Sequence, residues 1–179
     1  SPPSITMVEI DRFLSIEHPT KEDTIDLLKV LVPSYVYVEY FFTRLTTDNW
    51  LIPLKEMGIF SVPQNSITSN GTILFPAWWP SIYLKKMASV HPDIVVEIIY
   101  DMRETDNIRV HADLIEAALN MDALKASKIV PLTMKWVNSK YPSLVLIRSR
   151  ELLNKLVEEG VNEPALQLLQ SLLTLDKRN

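Results

Sequence analysis

Residues 92–120, PDIVVEIIYDMRETDNIRVHADLIEAALN, decide the fold class. In the first half Ile94, Val95, Ile98, Ile99 and Met102 recur at helical intervals, and in the second half Ile108, Leu114, Ile115, Ala118 and Leu119 do the same. That spacing lays apolar side chains along one stripe of a helix, so the segment reads as two amphipathic helices. Between them the polar corner Glu104-Thr105-Asp106-Asn107 reads as the turn of a helical hairpin. A lone hairpin leaves its apolar stripes in water and must stack on neighbours. The flanking chain supplies further helices of similar length. The expected fold is therefore all-α, with stacked antiparallel hairpins forming an α-solenoid; a compact irregular bundle is the alternative.

Working outward, Ser4 is placed to N-cap a helix through Ile16, which His18-Pro19 ends because a residue before proline is pushed out of the α region. Thr20-x-x-Asp23 has the form of a capping box opening a helix through Val32. Tyr35–Leu45 (YVYVEYFFTRL) has the composition of a strand, but its length and its helical neighbours favour helix. Thr47 or Asp48 can cap a helix from Trp50 to Met57, which Gly58 ends in a left-handed conformation. Residues 59–80 then break the pattern with Pro63, Pro76 and Pro80. They centre on Asn70-Gly71, the dipeptide favoured in two-residue type I′ turns, with Ser66–Ser69 and Thr72–Phe75 as arms. Two strands alone are marginal in water, so this hairpin is expected to lie against the helices. From Ser81 helices are expected over 81–90, 92–103, 108–120, 122–138, 143–159 and 163–175. Pro131 kinks the fourth of these unless it divides at Val130. The chain thus reads as a single helical domain over 1–179: an N-terminal group 4–58, an insertion 59–80 and a helical-hairpin array 81–175.

Composition narrows the function. Hydrophobic residues make up 47% and charged residues 22% of 179, a globular balance. Only 3 glycines argue against β-rich folds and phosphate-cradling loops. A net charge of -4 supplies no global positive field for nucleic acid or anionic membrane. The absence of cysteine removes disulfides, thiolate zinc sites and a cysteine nucleophile, and fits a reducing cytoplasm. No apolar run approaches the roughly 20 residues of a membrane span, and no signal-peptide pattern opens the chain. A cytoplasmic protein without a membrane partner is expected. Because it begins Ser1-Pro2-Pro3 rather than with methionine, it is expected to be a piece of a longer protein.

No nucleophile elbow, Walker loop, dinucleotide fingerprint or His-Glu-x-x-His occurs, so an enzyme is not expected, nor a cofactor or small-molecule substrate. His18 and His91 precede prolines at helix corners. His111 with Asp106 and Asp113 is the one place for a metal-dependent hydrolase, the least favoured reading; residues 111 and 113 do not share a helix face, and the pair is expected to be solvated. Glu97, Asp101, Glu104, Asp113 and Glu116 read as solvated helix faces. Arg148, Arg150 and Lys155, with Lys135 and Lys140, suggest a positive strip and carry the alternative of a nucleic-acid-binding module, although Glu151, Glu158 and Glu159 interrupt it. The aromatic group Phe75, Trp78, Trp79 and Tyr83 is the candidate partner-binding cluster, because tryptophan and tyrosine are enriched in binding hot spots. Equally, these rings can pin the insertion onto the helices. Adjacent tryptophans seldom both point inward, so Trp79 is expected to be partly exposed. Near the C-terminus Leu166, Leu169, Leu172 and Leu173 are candidates for an exposed apolar helix face.

The corner and its flanks resemble a HEAT-type repeat: a first helix, an acidic turn, then a second helix opening Asn107-Ile108-Arg109-Val110. The resemblance implies structural roles for Asp106 and Arg109 in linking neighbouring repeats, and Pro131 suits the kinked first helix of such repeats. The run Phe42-x-Arg44-Leu45 through Trp50-Leu51-x-Pro53-Leu54-Lys55-x-x-Gly58-x-Phe60, then Phe75-Pro76-x-Trp78 and Tyr83-Leu84, is similar to segments of large, mostly uncharacterised bacterial proteins with helical-repeat regions. That likeness implies a non-catalytic protein-interaction or scaffolding module. Its partner would be another protein or other domains of the same longer chain.

Overall fold

A computed structural model describes residues 4–178; Ser1, Pro2, Pro3 and Asn179, the two ends of the expected domain, lie outside the described residues. Helix α1 (Ile5–Leu14) starts at Ser4, whose Oγ accepts from the Met7 N–H at 3.1 Å. Helix α2 (Lys21–Leu31) opens with a complete capping box: Thr20 Oγ1 accepts from the Asp23 N–H, and the Asp23 carboxylate accepts from the Thr20 N–H. Caps of this kind contribute about 1 kcal/mol each. The strand-like segment is helix α3 (Tyr35–Arg44), which buries Phe41 and Phe42. Asp48–Trp50 forms a 3₁₀ turn with no side-chain cap from Thr47, and α4 (Leu51–Glu56) follows it. Gly58 then takes a φ of 75°.

Strands β1 (Ile67–Ser69) and β2 (Thr72–Leu74) pair antiparallel, with Ile67 opposite Leu74, Thr68 opposite Ile73 and Ser69 opposite Thr72. Asn70 and Gly71 both have positive φ, 50° and 75°, as a type I′ turn requires. The remaining helices are α5 (Pro80–Met87), α6 (Pro92–Asp101), α7 (Ile108–Leu119), α8 (Ala123–Ala126), α9 (Val130–Trp136), α10 (Ser143–Glu158) and α11 (Asn162–Arg178). The helix expected over 122–138 is divided by a 3₁₀ turn at Ser127–Ile129. Pro131 has no N–H and its ring would crowd the carbonyl four residues back, so it sits in the first turn of α9, where no intrahelical donor is needed.

The chain is thus mostly helical with one small two-stranded sheet. Helix α7 lies at its centre. Ile108, Val110, His111, Ala112, Leu114, Ile115, Ala117 and Ala118 of α7 are all buried, so apolar contact surrounds it instead of following one stripe. Its most extensive packing is against α10 and then α5, with α8 and α9 completing the enclosure. Lys85 of α5 reaches Asp113 at 3.2 Å and Glu116 at 3.3 Å, tying α5 to α7 and placing both carboxylates in an ion-pair bridge where free solvation was expected.

This packing differs from the expected hairpin stack. Helices α6 and α7 are not closely paired across their corner; α6 meets chiefly α5 and α8. In a solenoid each hairpin touches only its neighbours. Here a helix from mid-chain packs against elements on both sides of it in sequence, as it would in a stack or in the compact bundle weighed as the alternative, so a solenoid arrangement is not established. The periodicity of 108–119 reports a buried face and carries no information on how many neighbours bury it. Among the described residues, no helix is long and apolar enough to cross a membrane.

Candidate interaction surface

The β1–β2 hairpin at the centre of the insertion does not lie against the helices, although the segments on either side of it do. All six residues of β1 and β2 are exposed, so the hairpin projects as an arm with both faces in solvent. Three of the six are large and apolar: Ile67 is 45% exposed, Ile73 38% and Leu74 49%. The register puts Ile67 and Leu74 side by side on one face and Ile73 beside Thr68 on the other. The sequence placed these side chains in the arms but not in solvent, because alternation alone does not say whether a second layer covers the sheet.

A projecting two-stranded arm needs support at its root, and the polar corner provides it. Asn107 is fully buried. Its Nδ2 donates to the Gln64 carbonyl at 3.0 Å and to the Pro76 carbonyl at 2.8 Å, one on each side of the arm. Its Oδ1 accepts from the Arg109 N–H at 3.1 Å and so caps α7. Asp106 accepts from the Ser66 N–H at 2.9 Å and from the Ser66 hydroxyl at 2.5 Å. These two donors hold the Asp106 carboxyl below its ordinary range. Thr105 Oγ1 donates to the Gln64 carbonyl at 3.2 Å. The corner that resembled a repeat-linking turn therefore anchors the arm. Asp106 grips Ser66, and Arg109 is exposed; neither joins one helical pair to the next. A buried asparagine shared by a helix cap and two carbonyls was the functional feature least visible in the sequence, where Asn107 read only as a turn residue.

The four aromatic candidates separate. Tyr83 is fully buried; its hydroxyl donates to the Thr47 carbonyl at 2.7 Å, and burial pushes its ionisation well above the ordinary value. It packs with Phe42 and Phe60 in the core and offers no surface to a partner. Trp78 is buried at 8% exposure. Trp79 is partly exposed, with its ring edge-on to Tyr35 at 6.0 Å, and the Tyr35 hydroxyl donates to the Ala77 carbonyl at 2.8 Å. Phe75, also partly exposed at the end of β2, meets Tyr141 edge-on at 5.9 Å. The rings thus fasten the return of the insertion onto α3 and the loop before α10. What remains at the surface is part of Phe75 and of Trp79, beside Tyr141 and Tyr35, which are 39% and 51% exposed.

The basic strip does not form. Arg150 lies about 200° around α10 from Arg148 at 3.6 residues per turn, so they face opposite ways. Arg148 pairs with Glu151 at 2.8 Å and Lys155 with Glu159 at 3.2 Å, and among the described residues Arg150 is the one of the three without such a pairing. His18 is exposed next to Glu17, and His91 Nε2 lies 2.8 Å from the Asp48 carboxylate. His111, expected in solvent, is 6% exposed and stacks on Trp136. Among the described residues no group of three or more His, Asp or Glu side chains is arranged to hold a metal ion. On α11, Leu166, Leu169 and Leu173 are exposed while Leu168 and Ala165 are buried, and Leu172 is half-buried against the core.

Comparison with protein-family models, characterised proteins and solved structures finds no match.

Proposed function

We propose that this chain is a non-enzymatic protein-interaction module that engages a partner protein, or another domain of a longer chain, through the projecting arm. The observation that supports the reading is the exposure of Ile67, Ile73 and Leu74 on an arm whose root is fixed by Asn107 and Asp106. Apolar side chains on a rigidly rooted projection lose little conformational freedom on docking. Covering the three, each now about half exposed, supplies roughly 3 kcal/mol, about a hundredfold in affinity. The unpaired edges of β1 and β2 also present main-chain donors and acceptors to an incoming strand. Phe75 and Trp79 extend the surface at its base.

A nucleic-acid role has less support, since Arg148 and Lys155 are already paired and Arg150 faces away from both. The test is site-specific photo-crosslinking in the source cells with the reactive residue at position 73, and at the exposed position 21 of α2 as control. A discrete protein adduct from 73 that is absent from 21, and is lost when Ile67→Ser and Leu74→Ser are added, supports the reading. Adducts that are the same from both positions, or that survive those substitutions, overturn it.

A further inference from the structure

The arm ends in the one asparagine of the chain that a glycine follows, Asn70-Gly71. Both residues are exposed, and both have positive φ, 50° and 75°. Among the described residues the Asn70 side chain makes no hydrogen bond, whereas Asn49, Asn107, Asn120 and Asn138 each donate through theirs to a main-chain carbonyl. Space at the tip is open: a Cβ on Gly71 would meet nothing within 4 Å. No residue between Glu56 and Lys85 is charged, so the whole arm is neutral.

A free asparagine amide lies one ring closure away from the next main-chain nitrogen. Attack of the Gly71 nitrogen on Asn70 Cγ forms a C–N bond. The Gly71 amide proton passes to solvent, the bond from Cγ to the side-chain nitrogen breaks, and ammonia leaves. The product is a five-membered succinimide, which water opens at either of its carbonyls. Addition at Cγ gives aspartate with the original main chain. Addition at the Asn70 main-chain carbonyl carbon gives isoaspartate, whose main chain runs through Cβ and Cγ and is one carbon longer. The sum is asparagine plus water to acid plus ammonia, with no oxidant or reductant.

The turn gives access to this chemistry. Ring closure requires the Gly71 nitrogen to eclipse Asn70 Cβ, which is the ψ of about −120° found at the first central position of a type II′ turn. Turning over the Asn70–Gly71 peptide plane reaches it from type I′ while Asn70 keeps its positive φ and Gly71 moves to a φ of about −80°. Glycine adopts both conformations at no steric cost, and the open tip leaves room for the plane to turn. Both turn types suit a two-residue hairpin, so the strands stay paired meanwhile. Glycine also leaves the attacking nitrogen uncrowded by a side chain.

We propose that the tip of the arm is a self-modifying site, at which Asn70 closes on Gly71 and, with water, becomes isoaspartate or aspartate. Either product puts a carboxylate on an arm that has no other charge. Isoaspartate also lengthens a two-residue loop and so disturbs the pairing of Ser69 with Thr72. On the docking role proposed above, conversion withdraws the arm from an apolar partner site; the chemistry itself does not depend on that role.

The test incubates the purified full chain beside a synthetic peptide of residues 66–75 in mildly alkaline buffer at physiological temperature, with peptide mapping that separates isoaspartate from aspartate. Asn70 of the full chain should convert at a rate within about tenfold of the peptide's, a barrier difference of about 1.4 kcal/mol. It should convert well ahead of Asn65 and Asn154, which precede Ser66 and Lys155. Gly71→Ala crowds the attacking nitrogen and should slow conversion at least about tenfold, in peptide and chain alike. The proposal is overturned if Asn70 is intact in the full chain once the peptide has converted, if Asn65 and Asn154 convert as fast as Asn70, or if Gly71→Ala converts unchanged. A converted tip supports the proposal whatever photo-crosslinking from position 73 shows, so the two readings fail separately.

Discussion

Replacing Asn107 with alanine removes three hydrogen bonds at once: those to the Gln64 and Pro76 carbonyls and the cap on the Arg109 N–H. The cap is worth about 1 kcal/mol, and each bond to a carbonyl about the same. Gln64 keeps a donor in Thr105 Oγ1, which limits the loss there. The sum is about 3 kcal/mol, or a fall in melting temperature of roughly 6–12 °C for a chain of this size. Serine separates the two roles, because its hydroxyl can cap α7 but cannot reach both carbonyls. Asn107→Ser should recover about 1 kcal/mol of the loss and no more. Urea unfolding measures the global term, and amide exchange in Ile67 and Leu74, the hydrogen-bonded pair nearest the root, reports the arm. Both variants should loosen the arm, whereas only the alanine variant should lose the cap as well. If Asn107→Ala unfolds within 1 kcal/mol of the parent, or if serine restores arm protection in full, the reasoning that one buried side chain clamps arm and helix together is wrong.

Other consequences follow from the same packing. Burial holds the folded His111 pKa down to about 4, against 6.5 for an ordinary imidazole, so between those values the unfolded chain takes up a proton that the native state refuses. Stability is complete above pH 6.5 and declines toward pH 4, by on the order of 3 kcal/mol from this group; a pH series of urea midpoints should be flatter in that window for His111→Phe. Tyr83→Phe keeps the ring and deletes its hydroxyl bond to the Thr47 carbonyl, so it should cost about 1 kcal/mol, measured by thermal melting. Gly71→Ala meets open space but must hold a φ of 75°, which strains the turn by about 1 kcal/mol. Its effect should appear as faster amide exchange in Ser69 and Thr72 with little change in the global melting temperature.

Features that depend on neighbours in sequence were readable from sequence. Ser4, the Thr20/Asp23 box and the Asn70-Gly71 turn each act within three residues and occur as expected. Position in the assembly was not readable, because the same apolar stripe serves a helix with one neighbour or with several. That is why the hairpin at 92–120 suggested stacking, while α7 is in fact enclosed by four helices. The same reason explains His111: its imidazole reads as solvated beside Asp113 until the approach of Trp136 from α9 is known. Among the aromatic residues, chemistry left Tyr83 open to either role. Only the Thr47 carbonyl, 36 residues away in the chain, assigns its hydroxyl to the interior.

The shared duty of Asn107 has a mechanical consequence. A tug on the tip of the arm travels down both strands to Gln64 and Pro76, and the amide that joins the two, beside the Ser66–Asp106 bonds, is also the first fastening of the innermost helix. The arm is therefore geared to the core: a load sufficient to detach it also uncaps α7, and whatever stiffens the start of α7 steadies the tip.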